Sequence, residues 1–496
     1  MDLTRRAAVK YSAALSITLG AQTACAKANN SQLEPRFADA VETARRLKSG
    51  ELDVEKNLEA TIENAQKINP KLNAFVTTTF DEARAIAKTK PQGIFGGLPF
   101  AIKDLNDYHK TPTMHGSRAY KDAPSLTQSQ FLNQVDKLGI ISIGKTQTPE
   151  FGLTGTTEPL LTGPARNPWN TNHSTGGSSG GAAALVASGV LKMAHASDGG
   201  GSIRIPAACC GLVGLKTTRG RLIRPHMERD PRTDISVQGV LTHTMRDTAI
   251  FLAVTEDPNS VLPIMELVTD ANKKRLKIGY CIESFNGSHI DDEIKAEVIK
   301  TADILKSLGH EIIPFTPKID AKSIENAFML LWAAGAASGV DEWAKASGKK
   351  PNPEYFEPWT LYLAQTYAKR REEFPKALEV LGNLQKNFKP QFLPNFDILL
   401  SPVVATTAPK IGYLSTAIDP ELHYARIVEF APFFTAIMNA SGAPAISLPM
   451  GQSKSGLPIA IQLASDIGNE RALLELGFEL EKANPWINRK PQIWAE

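Results

Sequence analysis

Three glycines stand directly before Ser202 in the segment ASDGGGSIRIPAACCG, which spans residues 196–211. Glycine adopts backbone angles that are closed to other residues, and its bare N–H group can approach a bound atom closely. Backbone donors held in this way stabilise the negative oxygen that forms when a nucleophile attacks a carbonyl group. The segment therefore predicts a nucleophilic Ser202 and an oxyanion hole built from Gly199, Gly200 and Gly201. A glycine-rich turn followed by a helix-capping serine is the alternative.

Charged residues flank these glycines, with Asp198 before them and Arg204 shortly after. We expect the two side chains to pair across the loop and to fix its shape. A second loop of the same composition, STGGSSGG at 174–181, carries Ser178 and Ser179. Two such loops can deliver two hydroxyl groups into one space. Ser179 is expected to hydrogen-bond within its own loop, and the alternative is a hydroxyl that satisfies a backbone group.

Lys103 follows the apolar run LPFAI, which predicts a short buried strand that ends at a lysine. Burial disfavours the charged ammonium and lowers the pKa of a lysine toward neutrality. A neutral amine can act as a general base, whereas an ammonium cannot. The alternative is a lysine that extends its charged end from the strand into solvent.

Alternating strand and helix patterns must position these residues. Apolar runs of strand length lie at 98–104, 139–146 and 190–196. Helical periodicity runs over 37–50, 54–68 and 182–187, with the second helix expected to stop at Asn69-Pro70. Strand, loop and helix interleave along the chain, which favours an α/β layered architecture.

One helical region, expected as an excursion at about 320–395, is rich in aromatic residues. These residues either pack the excursion onto the body of the protein or wall an apolar substrate pocket. They are Phe328, Trp332, Trp343, Tyr355, Phe356, Trp359, Tyr362 and Tyr367.

Long motifs over roughly residues 37–485 together resemble the amidase signature family. They are GGLPFAIKD, GKTQTPEFG, RNPWN, STGGSSGGAAALVASG, SDGGGSIRIPAACCGLVGLKTTRGR, FTAIMNASGAPAISLPMG and GLPIAIQL. The resemblance implies a single large α/β/α sandwich around one mixed, mostly parallel β-sheet. It also implies a Ser-cisSer-Lys triad on Ser202, Ser178 and Lys103, with a cis peptide bond before Ser178.

The reaction implied by this resemblance is hydrolysis of a carboxylic amide to an acid plus ammonia or an amine, through an acyl-enzyme. No metal and no other cofactor is implied. The surroundings of Ser202 resemble the broad-specificity branch of the family, which includes 6-aminohexanoate-cyclic-dimer hydrolases. The expected partner is a small-molecule or peptidyl amide, and the protein is expected to be a monomer or a homodimer.

Two other enzyme classes remain open. GGSSG at 176–180 fits the nucleophile elbow of an α/β-hydrolase, and an esterase of the Ser-His-Asp type would then need His243, His310 or His423. That motif follows a strand, whereas NPWNTNHST before it is polar and turn-like.

The second enzyme class is the glutaminase subunit of a tRNA-dependent amidotransferase, which belongs to the same family. Ile205, where resembling glutaminases carry Gln, argues against that reading. A binding protein that has lost catalysis is the third possibility, although all three triad positions are intact.

The N-terminal 26 residues have the pattern of a cleavable export signal. Arg5, Arg6 and Lys10 precede sixteen uncharged residues, which is short for a membrane span of about 20 residues. TRRAAVK resembles a twin-arginine signal, so we expect a domain at 27–496 that is exported, to the periplasm in a bacterium. Without the signal the net charge is about +1, which favours neither nucleic acid nor a membrane surface as a partner.

The cysteines that remain beyond this signal are Cys209, Cys210 and Cys281, and none has C-x-x-C spacing. This odd count argues against a disulfide framework and against zinc, so we expect buried, free thiols.

Overall fold

The structure is a computed structural model that describes residues 38–108, 110–121, 125, 127–224 and 233–495. The predicted export signal lies outside these residues. Within them, no helix is both long enough and apolar enough to cross a bilayer.

A small three-stranded sheet carries Lys103 at the end of its second strand. Its strands are β1 (Phe75–Thr78), β2 (Pro99–Lys103) and β3 (Ile141–Thr146). β3 lies in the middle, parallel to β2 and antiparallel to β1. The strands predicted from the two apolar runs at 98–104 and 139–146 are confirmed. Every residue of β2 is buried, so the sheet delivers Lys103 into the interior.

A short antiparallel hairpin precedes the loop of Ser178. It consists of β4 (Arg166–Asn167) and β5 (Asn170–Ser174). The prediction of a turn-like segment here is therefore wrong. A two-stranded ribbon is held by backbone hydrogen bonds, and the side chains of β5 are exposed or half-buried except at Ser174, so its polar composition does not oppose pairing.

The central sheet has eight strands. In chain order they are β6 (Met193–Asp198), β7 (Val213–Lys216), β8 (Val237–Thr242), β9 (Lys277–Tyr280), β10 (Glu311–Pro314), β11 (Ile398–Pro402), β12 (Ala445–Gln452) and β13 (Pro458–Ser465). Their spatial order is β10-β9-β11-β13-β12-β7-β8-β6. The predicted α/β class with a large mixed sheet is confirmed.

The expectation that one sheet would be mostly parallel is wrong in two respects. β9 pairs in parallel with β10 and β11, whereas the other five pairings of the central sheet are antiparallel in the described chain. β12 and β13 are joined by a tight turn, and a connection that short permits only antiparallel pairing. Lys103 lies on the separate three-stranded sheet.

Helices cover both faces of the central sheet. In chain order they are α1 (Ala40–Ser49), α2 (Val54–Leu72), α3 (Phe80–Lys88), α4 (Gln130–Asp136), α5 (Gly180–Ala187), α6 (Arg204–Cys210), α7 (Met245–Thr255), α8 (Asp292–Ser307), α9 (Ala321–Ser347), α10 (Pro358–Arg370), α11 (Phe374–Lys386), α12 (Phe388–Phe392), α13 (Pro420–Phe430), α14 (Ala436–Ser441) and α15 (Glu470–Ala483). Ile446 and Leu448 share a core with α7, α8 and α15. Ala445, on the opposite side of β12, shares a core with α9, α11 and α14. This is the expected α/β/α sandwich.

The predicted stop at Asn69-Pro70 is also wrong, because α2 continues to Leu72. Pro70 lies in the last turn, where only one intrahelical hydrogen bond is lost with its missing N–H. The Asn69 side chain instead accepts hydrogen bonds from the N–H groups of Ala74 and Phe75, at 2.8 and 3.0 Å, and leads the chain into β1.

Four helices, α9 to α12, occupy the interval between β10 and β11 in which the sequence predicts a helical excursion. Their aromatic side chains pack against the loop that follows β3 and against α13 and its neighbours. The excursion therefore forms a wall beside the loops of Ser178 and Ser202.

Candidate active site

Lys103 and Ser178 meet in the interior. Lys103 is fully buried, and its Nζ lies 2.8 Å from Ser178 Oγ. The same nitrogen lies 3.1 Å from Ser197 Oγ and 3.3 Å from the Ser197 carbonyl oxygen. An amine with three oxygen neighbours and no contact with solvent is held in one orientation, toward the Ser178 hydroxyl. The alternative of a solvent-exposed strand-end lysine is excluded.

Burial lowers the pKa of Lys103 to about 7, and the nearby Asp198 carboxylate opposes this shift. A substantial fraction of the side chain is therefore a neutral amine near pH 7. A neutral amine has a lone pair, so it can accept the proton of the Ser178 hydroxyl. The sequence-based expectation of a lysine tuned by desolvation agrees with this direction.

His195 fixes the backbone at this point. The Lys103 N–H donates to His195 Nδ1 at 3.2 Å, and His195 Nε2 lies 2.8 Å from Gln238 Oε1. Burial lowers the pKa of His195 to about 3, so the ring is neutral. Because Nδ1 accepts, Nε2 carries the proton and donates to Gln238. His195 thus joins β2 to β6 without adding a charge beside Lys103.

Ser178 lies in the loop between β5 and α5. The Gly177–Ser178 peptide bond is cis, as the resemblance implies. The next hydroxyl, Ser179 Oγ, lies 3.3 Å from the carbonyl oxygen of Ser197 and 3.4 Å from its nitrogen. Ser179 therefore bonds to backbone atoms at the end of β6, which agrees with the alternative of a backbone-bonded hydroxyl and not with a hydrogen bond within its own loop.

The loop of Ser202 is wrapped around the carboxylate of Asp198. Asp198 Oδ1 accepts the Gly201 N–H at 2.7 Å, and Oδ2 accepts the Ile203 N–H at 3.1 Å. The guanidinium of Arg204 contacts both carboxylate oxygens, at 3.0 and 2.9 Å, which confirms the predicted ion pair. Both side chains are fully buried. Although burial alone raises it, the pKa of Asp198 is lowered to about 2 by Arg204, so the carboxylate stays charged.

The predicted oxyanion hole needs one correction. The Gly201 N–H already donates to Asp198, so it is not free to bind a substrate oxygen. Gly201 serves the loop differently: its φ is +135°, and a Cβ there would lie 2.4 Å from Thr435 Oγ1. The N–H groups of Gly200 and Ser202 donate to no acceptor among the described residues. Gly200 and Ser202 both line the cavity described next, whereas Gly199 is not among the described residues that line it.

Ser202 opens into an apolar cavity with about 610 Å³ of empty space, a figure that includes its mouth open to solvent. Its side chain is 8% exposed, and Gly177, next to Ser178, lines the same space. No hydrogen bond joins the Ser202 and Ser178 hydroxyls in the part of the chain that the structure describes. The remaining wall is almost entirely hydrophobic and is formed by Leu153, Thr154, Gly155, Ile205, Phe328, Met329, Trp332, Trp359, Tyr424, Ile427, Ala431, Phe433 and Ala436.

The aromatic residues of the excursion fall into two groups, one that lines the cavity and one that packs the excursion onto the body of the protein. Phe328, Trp332 and Trp359 line the cavity. The other five named aromatic residues pack the excursion: Trp343, Tyr355, Phe356, Tyr362 and Tyr367 lie in hydrophobic clusters around it. The spacing of these aromatic residues in the sequence does not distinguish the two groups.

The three candidate histidines have other contacts. His243 Nε2 lies 2.7 Å from the carbonyl oxygen of Val186, and His310 Nε2 lies 3.0 Å from Glu479. The ring of His423 packs against Trp359, with ring centroids 4.8 Å apart. The Ser178 hydroxyl contacts Lys103 instead, so the Ser-His-Asp reading lacks its geometry. The three cysteines named above are free and buried, as predicted.

Besides His195 and Gln238, sequence reasoning missed three polar residues of the site. Ser197 contacts the Lys103 amine, while Gln462 and Asn439 accept from Arg204 at 2.7 and 2.6 Å. Asn439 also donates to the Asp198 carbonyl oxygen at 2.8 Å. All three lie inside motifs that carry the family resemblance, but only the folded chain shows what they contact.

Comparison with known proteins identifies relatives along nearly the whole chain. A family model described as Amidase matches residues 56–474. The chain is 39% identical over 453 residues to a protein named putative amidase AmiC from Mycobacterium bovis, covering 90% of this chain and 95% of that protein. It is 32% identical over 489 residues to a 6-aminohexanoate-cyclic-dimer hydrolase from a Pseudomonas species, covering 92% and 97%.

Among solved structures, 6-aminohexanoate cyclic dimer hydrolase in complex with its substrate superposes with a TM-score of 0.84 at 29% sequence identity. The match covers 93% of this chain and all of that one. The arrangement of helices and strands described above is therefore shared with an enzyme of known structure.

The buried ion pair of the Ser202 loop yields a stability prediction. Replacement Arg204→Met leaves the Asp198 carboxylate buried without its guanidinium. We expect the free energy of unfolding to fall by about 3–5 kcal/mol, as for other buried pairs that lose one partner. Denaturant unfolding followed by circular dichroism measures the change.

The matched control is Arg370→Met, which removes the same side chain from the exposed pair with Glu373. This variant should lose less than about 1 kcal/mol. Equal losses in the two variants would contradict a special structural role for the buried pair.

Proposed function

The chain belongs to the amidase signature family and is an amide hydrolase, and from this premise we propose that Lys103, Ser178 and Ser202 form its catalytic triad. The proposed reaction converts a carboxylic amide to an acid and ammonia or an amine. The observation that carries the proposal is the 2.8 Å contact between the buried Lys103 amine, whose pKa is lowered to about 7, and the Ser178 hydroxyl.

In the proposed mechanism a proton is transferred from Ser202 toward Lys103 while Ser202 Oγ attacks the substrate. Neutral Lys103 accepts the proton of Ser178, and Ser178 takes the proton of Ser202 as Ser202 Oγ attacks the carbonyl carbon. The tetrahedral oxyanion accepts hydrogen bonds from the free N–H groups of Gly200 and Ser202, two residues that line the cavity. The relay then runs in reverse and protonates the departing nitrogen, leaving an acyl group on Ser202.

A water molecule completes the cycle. It attacks the acyl-enzyme carbonyl while passing its proton through Ser178 to Lys103, and the acid leaves as Ser202 regains its proton. Asp198 and Arg204 take no part in these transfers. They hold the loop so that the free amides and the Ser202 hydroxyl keep their positions.

We propose further that the substrate presents an uncharged, mainly apolar group to the cavity. None of the described residues that line the cavity carries a charged side chain. Transfer of an unpaired charge into such a site is costly, whereas methylene and aromatic groups gain about 25 cal/mol per Å² of buried surface. This favours linear or cyclic aliphatic amides and aryl amides over glutamine, whose ammonium and carboxylate would find no counter-charge.

Export of the protein stays a proposal that rests on the sequence of residues 1–26 alone. The twin-arginine-like start and the small residues at 24–26 support it. Monomer and homodimer are equally compatible with the proposed mechanism, since all three triad residues come from one chain.

The first test replaces the proposed nucleophile. Ser202→Ala should reduce kcat/KM for a panel of aliphatic, aryl and peptidyl amides by at least about 10⁴-fold, because no other group can form the acyl-enzyme. Ammonia or amine release measures the rate.

The matched control is Ser188→Ala, which removes a buried serine hydroxyl at the end of α5 that donates to the Leu185 carbonyl oxygen. It should retain wild-type kcat/KM. Retention of activity by Ser202→Ala would refute the assignment.

The pH dependence tests the proposed base. Lys103 must be neutral, so kcat/KM should be level above pH 8 and should fall about tenfold per pH unit below an apparent pKa near 7. The sign follows from protonation: at lower pH the ammonium has no lone pair for the Ser178 proton. A profile that is flat from pH 5 to 9 would contradict the proposal, as would full activity of Lys103→Ala.

The apolar cavity predicts a preference for uncharged amides over charged ones, and this preference also distinguishes the proposed amidase from a glutaminase. Hexanamide should exceed both glutamine and succinamate in kcat/KM by about 100-fold or more, because the latter two carry a charge into an apolar site. Isobutyramide serves as an uncharged control of smaller size. A preference for glutamine would favour the amidotransferase subunit.

A further inference from the structure

The loop of residues 150–155 passes directly beside the Ser178 hydroxyl. A Cβ built on Gly152 would lie 3.0 Å from Ser178 Oγ and 2.7 Å from Leu105 Cδ1. The backbone here is left-handed at two successive residues, with φ +50° at Phe151 and +70° at Gly152. A non-glycine residue in this conformation is uncommon and persists where the surrounding structure enforces it.

Two tryptophans of the excursion hold this loop by a single carbonyl group. Trp332 on α9 and Trp359 on α10 both donate their indole N–H to the Leu153 carbonyl oxygen, at 3.1 and 3.0 Å. A carbonyl oxygen has two lone pairs, so both of its acceptor positions are used. Trp359 is 2% exposed and Leu153 is 7% exposed, which shields these hydrogen bonds from water.

The other end of the loop is tied to the same excursion. Glu150 accepts the N–H of Glu357, the residue before α10, at 2.8 Å, and it accepts the Ser117 hydroxyl at 2.6 Å. Burial raises the pKa of Glu150. The excursion therefore contacts the loop on both sides of Gly152, and the left-handed turn lies between the two attachments.

We propose that Trp332 and Trp359 are positioning residues for the triad. Their N–H groups fix Leu153, which keeps Gly152 packed on Ser178 and keeps the Ser178 hydroxyl on the Lys103 amine. Their rings line the cavity at the same time. The two tryptophans that line the cavity thus also keep the Ser178 hydroxyl within hydrogen-bonding distance of the Lys103 amine. This inference rests on the proposed function.

The decisive variant is the double replacement Trp332→Phe and Trp359→Phe, which keeps an aromatic ring at both positions and removes both donors. We expect kcat for an aryl or aliphatic amide to fall about 10- to 100-fold, the size of effect that a displacement of about 1 Å produces. KM should change less than about threefold, because the apolar surface is largely retained. Each single variant should show a smaller loss, since the remaining indole still holds the carbonyl.

A second readout separates positioning from substrate binding. With the loop released, water reaches the Lys103 amine, and its desolvation decreases. The apparent pKa in the kcat/KM profile should therefore rise above that of the wild type. A role in apolar binding alone would raise KM and leave this pKa unchanged.

Trp343→Phe is the matched control. Its indole N–H donates to the Ala119 carbonyl at 2.8 Å, and its ring is buried outside the cavity. It should keep the wild-type kcat and pH profile. The milder Trp332→Phe, at a half-buried position, supplies the same two readouts if the double variant does not fold.

Wild-type kcat and pKa in the tryptophan variants would overturn the inference, and so would a change confined to KM or an equal loss in Trp343→Phe. The proposed function stands or falls separately, on the activity of the wild type and of Ser202→Ala. Active wild type with an unaffected double variant would refute the inference alone.

Discussion

The site depends on one contact, the hydrogen bond between a buried amine and a serine hydroxyl. Lys103 Nζ and Ser178 Oγ lie 2.8 Å apart, with the lysine shielded from solvent. Contact with water would raise the pKa of the amine toward its ordinary value, and a longer distance would interrupt the proposed proton transfer from Ser178. Both conditions are met because β2 is buried along its length and ends at the lysine, facing the end of β6.

The Asp198 carboxylate influences both the pKa of Lys103 and the shape of the Ser202 loop. Burial lowers the pKa of Lys103, and the Asp198 carboxylate keeps it from falling further. The same carboxylate accepts the N–H of Gly201 and the guanidinium of Arg204, so it also shapes the loop that presents Ser202. An ionised carboxylate at this depth requires its arginine partner. The shape of the Ser202 loop and the pKa of Lys103 are therefore coupled through one residue.

The sequence predicted which residues meet in the site better than it predicted the direction of the strands. Strand ends, glycine loops and flanking charges are local patterns that made Lys103, Ser178 and the Asp198–Arg204 pair candidates, and the family resemblance favoured the triad assignment over the structural alternatives. The direction of most strands does not follow from local patterns: the antiparallel pairings of β7 with β8 and with β12 join segments that are distant in the chain. The engaged N–H of Gly201 and the donors Trp332 and Trp359 were likewise invisible, since each depends on a partner distant in the chain or on the exact path of a loop.

The most direct measurement of the central claim is the titration of the Lys103 side chain itself. Lysine labelled with ¹³C at Cε can be followed by NMR in the Ser202→Ala protein, with the signal assigned by its absence from a Lys103→Met variant. The account predicts a midpoint near pH 7 for this one resonance. A midpoint near the ordinary lysine value of about 10.4 would contradict it.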